Sequence, residues 1–131
     1  MKKIILLLIF LITPTVTLAH SPLESVYPID GSSLKMAPPK IEMVFKSPAK
    51  LIKLNMYEVS STKKTKLLSK LMGSKKGEEI SLNKDFLLKI RKRHTIPLPY
   101  LENGDYVIFW RAIGEDGHIV KGKFSFELDR N

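Results

Sequence analysis

Apolar and polar positions alternate with a period of two along much of this chain. Ile41, Met43 and Phe45 are interleaved with Glu42 and Val44. Leu54 and Met56 lead into a short run at Tyr57–Val59, and Ile80 and Leu82 mark another. Tyr106, Ile108 and Trp110 alternate with Val107, Phe109 and Arg111, and Phe124, Phe126 and Leu128 alternate with Ser125 and Glu127. Such a period turns one face of each run towards a core and predicts strands. Turn signals separate the runs: Pro28-Ile-Asp-Gly31, Ala37-Pro-Pro39, Ser47-Pro48, Gly73-Ser74, Gly77, Glu102-Asn-Gly104 and Asp116-Gly117. Short strands divided by turns predict an all-β sandwich or barrel. No helix is required, although Asp85–Lys92 has the length for a turn or two. The lysine-rich middle, Lys63–Lys76, reads as a solvated hairpin or loop.

One turn carries more detail. In Leu101-Glu-Asn-Gly104-Asp-Tyr106 a tyrosine enters a late strand just after a glycine turn. That is the position of a tyrosine corner in immunoglobulin-like sandwiches, with the ring in the core and the hydroxyl bonded to backbone. Tyr106 is therefore read as structural, and Trp110, on the same face by parity, as core.

The N-terminus changes how much of the chain this fold has to account for. Met1-Lys2-Lys3 is positive, Ile4–Ile12 is an uncharged apolar run, and Thr17 and Ala19 place small residues at the −3 and −1 positions of a cut. This is the layout of a secretory signal peptide over residues 1–19. The apolar run is short for a membrane-spanning helix, so an uncleaved anchor is the lesser reading. Cleavage after Ala19 leaves residues 20–131, a length that suits one domain. It also removes Lys2 and Lys3 from the 22 basic residues, leaving a net charge of +7 against 13 acids. The surplus sits in Lys63–Lys76 and Lys84–Arg93. No recognition motif accompanies it, so nucleic acid is not an expected partner; solubility and loose attraction to anionic surfaces are. There is no cysteine. The exported domain must then be stable through its core alone, and any metal site must use nitrogen, oxygen or thioether sulfur.

Two of the three histidines are placed for chemistry. His20 is the first residue after the predicted cut, so its free α-amine and its ring Nδ1 can close a chelate on one ion. Two such nitrogens suit a tetragonal Cu(II) ion, and both can lose their protons to a metal near neutral pH. His118 lies in Gly114-Glu-Asp116-Gly-His118, between two strong strands. On an extended backbone residues i and i+2 point the same way, so Asp116 and His118 are expected to share a side. Alone, Asp-x-His also fits a turn capped by Asp116. The third histidine, His94, stands among basic residues and reads as a solvated surface side chain.

These blocks resemble copper-resistance protein C (CopC). His20-Ser-Pro-Leu-Glu-Ser25-Val-Tyr-Pro28-Ile-Asp30-Gly31 looks like the opening of that family, and Ala37-Pro-Pro-Lys-Ile-Glu-Met-Val-Phe45 like its first proline-fed strand. The ending is the most specific part: Leu101-x-x-Gly104-x-Tyr106-x-x-x-Trp110-Arg111, then Asp116-x-His118-x-x-x-Gly122-x-Phe124-x-Phe126. The resemblance implies an immunoglobulin-like Greek-key β-sandwich (cupredoxin-like barrel) of about seven strands, residing in the periplasm. It implies a copper buffer or carrier without turnover, in which His20, Asp116 and His118 hold one Cu(II). It further implies work beside a membrane-embedded copper-transport partner, in copper resistance or homeostasis; a monomer is the default expectation. Two departures stand out. Ser47 occupies a position where some members have Glu. The methionines Met36, Met43, Met56 and Met72 are scattered, so no separate Cu(I) site is expected. Two other readings stay open: a metal-free interaction module, and a copper-dependent oxidase or monooxygenase using the same amine–imidazole chelate.

Overall fold

The computed structural model describes residues 22–59 and 77–131. The predicted leader, His20 and the lysine-rich segment Lys63–Lys76 lie outside the described residues. The described residues form seven strands: β1 (Leu23–Tyr27), β2 (Ser32–Leu34), β3 (Lys40–Val59), β4 (Glu78–Ile80), β5 (Ile90–Pro97), β6 (Gly104–Gly114) and β7 (Ile119–Leu128). They make one sheet that curls into the two layers of an all-β sandwich, the architecture expected from the turn-separated alternation.

β3 organises this sheet. Its first half pairs antiparallel with β1 on one edge and β5 on the other. Its second half pairs antiparallel with β6 and β4. The order along the main path is β1-β3-β6-β7-β2, closed by a parallel pairing of β2 with β7. The change of layer falls around Lys46–Ala49. There the β3–β5 register shifts between Val44 and Ala49, where Ser47-Pro48 interrupts the ladder. A proline cannot donate to a ladder, so it is tolerated where pairing is already broken.

The core is built from the positions that alternation predicts. Ile41, Met43 and Phe45 from the first half of β3 are buried, as are Leu54 and Met56 from the second half. Tyr106, Ile108 and Trp110 of β6 meet them, together with Phe124, Phe126 and Leu128 of β7. The Tyr106 hydroxyl donates to the Glu102 carbonyl at 2.7 Å, which is the predicted tyrosine corner. Burial, with Glu58 and Glu102 nearby, pushes the Tyr106 phenol up to about 12.

As expected, no helix forms among the described residues: residues 85–88 make a turn, and β5 begins at Ile90 within a stretch that its charges disguise. One expectation is corrected. His94 is not a solvated histidine: it is 2% exposed. Its Nε2 lies 2.9 Å from the Ala49 carbonyl and 3.0 Å from that of Arg91. Both partners only accept, so Nε2 carries the proton and donates to them. The ring also meets Phe45 edge-on at 5.6 Å. His94 thus ties β5 to β3 just after the change of layer.

Candidate metal centre

The β6–β7 hairpin is closed by a tight turn. Gly114 N–H donates to the His118 carbonyl and Gly117 N–H to the Gly114 carbonyl, both at 3.0 Å. Gly117 has φ of +80°, a left-handed conformation that suits glycine. Asp116 finishes the turn: its Oδ1 accepts the His118 backbone N–H at 3.0 Å. Short polar side chains commonly bond the backbone two residues on in this way.

The same turn brings the two predicted side chains of the hairpin together. His118 Nδ1 lies 2.8 Å from Asp116 Oδ2. The reason differs from the expected one. Extended alternation does not align them; the turn does, by directing both side chains into each other. An ionised carboxylate only accepts, so Nδ1 is the protonated ring nitrogen and donates. The Nε2 lone pair is then free to meet a metal ion, and a carboxylate behind the ring fixes its orientation and raises its basicity. Both groups are open to solvent, with side-chain exposures of 83% for His118 and 67% for Asp116. The hydrogen bond from the ring, then that from the backbone, holds the Asp116 carboxyl below its usual range. The same contact raises His118 above the usual imidazole value.

A carboxylate and one imidazole make an incomplete cation site. Among the described residues no group of three or more His, Cys, Asp and Glu side chains gathers around a common point. Further donors must then come from elsewhere in the chain or from solvent. His20 lies outside the described residues. The first described residue is Pro22, whose carbonyl accepts the Lys46 N–H at 2.9 Å. Lys46 is three residues from Ala49, and Ala49 pairs with Gly114 at the base of the hairpin. The beginning of the described chain and the Asp116–His118 turn therefore lie at the same end of the sandwich.

The other candidate donors are accounted for differently. Met43 and Met56 are completely buried core residues, and Met36 is exposed in the β2–β3 connection, beyond the Lys40 end of β3 and away from Ala49. Ser47 is exposed at the change of layer and brings a hydroxyl where a carboxylate would be a stronger donor. His94, committed to two carbonyls, is a structural residue that the sequence reading missed. Its signal was parity: it stands two residues before Ile96, which is also fully buried.

Comparison with known proteins agrees with this architecture. A family model described as the CopC domain matches residues 23–129. Among solved structures, CopC from Methylosinus trichosporium OB3b is 22% identical with a TM-score of 0.57, covering 84% of this chain and 94% of that one. PcoC, a methionine-rich copper resistance protein from Escherichia coli, is 20% identical with a TM-score of 0.59, covering 82% and 96%. No curated protein sequence matches the chain.

Proposed function

The chain belongs to the CopC domain family, and on that premise we propose that it is an exported copper-binding protein that holds one Cu(II) ion as cargo. Residues 1–19 direct export and are removed, and residues 20–131 act in the periplasm. The donors are the α-amine and imidazole of His20, the imidazole of His118 and an oxygen of Asp116. In the metal-free chain the carboxylate holds the ring; on the ion it becomes the oxygen donor. The role is to buffer or carry copper, without turnover, beside a membrane-embedded transport partner.

One observation carries this reading: an exposed imidazole, backed by a carboxylate, stands at the end of the sandwich where the described chain begins. The donor types support the choice of ion. Imidazole and amine nitrogens with one carboxylate suit a tetragonal Cu(II), and no thiolate is present to favour Cu(I) or zinc. Each nitrogen must be unprotonated to bind, so affinity rises with pH through the raised His118 value and on through the α-amine range at about 8.

The test is a Cu(II) titration of protein purified after export, with its first residue read by intact mass. One equivalent should give a tetragonal electron paramagnetic resonance spectrum with nitrogen couplings and should quench Trp110, the only tryptophan. An extra residue ahead of His20, or His118→Ala, should abolish that spectrum. Stoichiometric binding that survives the extension would refute the N-terminal chelate. No binding by correctly cut protein would leave a metal-free interaction module as the better reading.

A further inference from the structure

We propose that the outer sheet surface beside the β6–β7 hairpin is a docking face for an anionic phospholipid surface. Strand register builds this face row by row. Lys50 pairs with Ile90 on one side and Ile113 on the other, and Ile113 pairs with Ile119. Ile90 is 65% exposed and Ile119 is 62% exposed. Leu88, two residues before Ile90, is 69% exposed and has φ of +65°. A left-handed leucine is strained backbone. Here it is held by a 2.9 Å bond from Leu88 N–H to the Leu51 carbonyl, with its side chain in solvent.

The next row on this face, one step away from the hairpin turn, is cationic. Arg111 pairs with Lys53 and with Lys121, and all three side chains are exposed. None forms an ion pair among the described residues. Of the two acids in the adjoining turn, Asp116 is engaged by His118, and Glu115 precedes it in the turn. A like-charged row without acid partners costs self-repulsion in the free protein, and a surface of negative charge relieves it.

The combination selects the occupant. Protein-binding hot spots are enriched in Trp, Tyr and Arg and depleted in Leu. Bare aliphatic side chains backed by Lys and Arg are instead the chemistry of a membrane interface. There the apolar groups enter the boundary of headgroups and acyl chains, and the cations reach the phosphates. Docked this way, the hairpin turn would sit against the lipid surface. The proposal does not depend on copper, and its test uses none.

The test is co-sedimentation of the exported, mass-checked protein with vesicles of phosphatidylcholine, with and without about one third phosphatidylglycerol. Binding is expected only with the anionic lipid and should weaken as salt is raised, because screening shortens the reach of the cations. K53Q/R111Q/K121Q should weaken partitioning by about fivefold per cation removed. I90S/I119S should weaken it with the charge unchanged, and the melting temperatures of both variants should show that they fold. Absence of binding to anionic vesicles, or equal binding by the variants, overturns the proposal. Capture of the protein by polyglutamate without vesicle binding also overturns it and assigns the face to an acidic protein.

Discussion

Gly122 is the position where one added carbon should do most damage close to the hairpin. It pairs with Trp110 across β6 and β7, and the indole lies over it. A Cβ at Gly122 would stand 2.6 Å from Cζ2, 2.9 Å from Cε2 and 3.0 Å from Nε1 of that ring. Carbon atoms in good contact are about 3.5–4.0 Å apart, so the ring must move. It has little room to do so. Trp110 is 4% exposed, and Phe45 meets it edge-on at 5.5 Å. The indole Nε1 has no hydrogen-bond partner among the described residues, so packing alone positions the ring. Overpacking of this kind costs about 1–3 kcal/mol. The alanine returns about 0.4–1 kcal/mol by restricting the unfolded chain. Gly122→Ala should therefore lose about 1–2 kcal/mol, which for a domain of this size lowers Tm by about 4–9 °C. Thermal unfolding by circular dichroism reads the loss, and a change in Trp110 emission reports the displaced ring. Trp110→Phe supplies the decisive cycle. The smaller ring makes space, so adding Gly122→Ala to it should cost at least about 1 kcal/mol less than in the parent. Equal costs in the two backgrounds, or a Gly122→Ala variant as stable as the parent, would refute the account of Gly122 as a packing requirement.

Other expectations follow from single contacts. Tyr106→Phe removes the donor to the Glu102 carbonyl in a buried corner and should cost about 1–2 kcal/mol by urea unfolding; an unchanged midpoint would mean that the hydroxyl is incidental. His94→Leu leaves the Ala49 and Arg91 carbonyls without their shared donor and should cost about 2–4 kcal/mol, whereas a truly solvated histidine would tolerate the change. Asp116→Asn should lower the His118 titration midpoint followed by NMR, because the carboxylate is what raises it; an unmoved midpoint would mean that the two side chains do not meet in solution. The sign for stability follows from the same pair. The raised His118 value contributes stability below the unfolded imidazole value near 6.5, and that is lost as pH rises through the folded value. The lowered Asp116 value contributes stability above the unfolded carboxyl value near 3.9, and that is lost as pH falls through the folded value. The pair therefore favours the folded chain most in the mildly acidic range between them.

Alternation made the core legible in the sequence wherever strands have one buried face. Ile41, Met43 and Phe45, and likewise Tyr106, Ile108 and Trp110, sit where a period of two puts them. It failed at β5, where Arg91, Lys92 and Arg93 are all exposed and only His94 and Ile96 are buried. Three successive outward charges look like a loop, and a buried histidine adds no apolar signal. β1 and β2 were also hard to read, because neither has a fully buried position. The Asp116–His118 pair was legible as proximity, but its geometry was not. Spacing cannot tell an extended backbone from a turn that folds one side chain onto the other. The role of Gly122 was visible only as part of a family pattern, because its reason lies across the sheet in Trp110.

A strand that belongs to both layers removes the seam along which a sandwich might come apart. β1, β4 and β5 pair with β3 and with no other described strand. Any opening that releases β3 thus strips three strands at once and leaves β6 with only β7. Partial unfolding of one layer has no stable remainder. Amide exchange in the two layers should converge on a single slow opening, with protection spread along β3 from Ile41 to Met56. The hairpin that carries His118 is rooted in that same unit, so its base should open no more often than the centre of the protein.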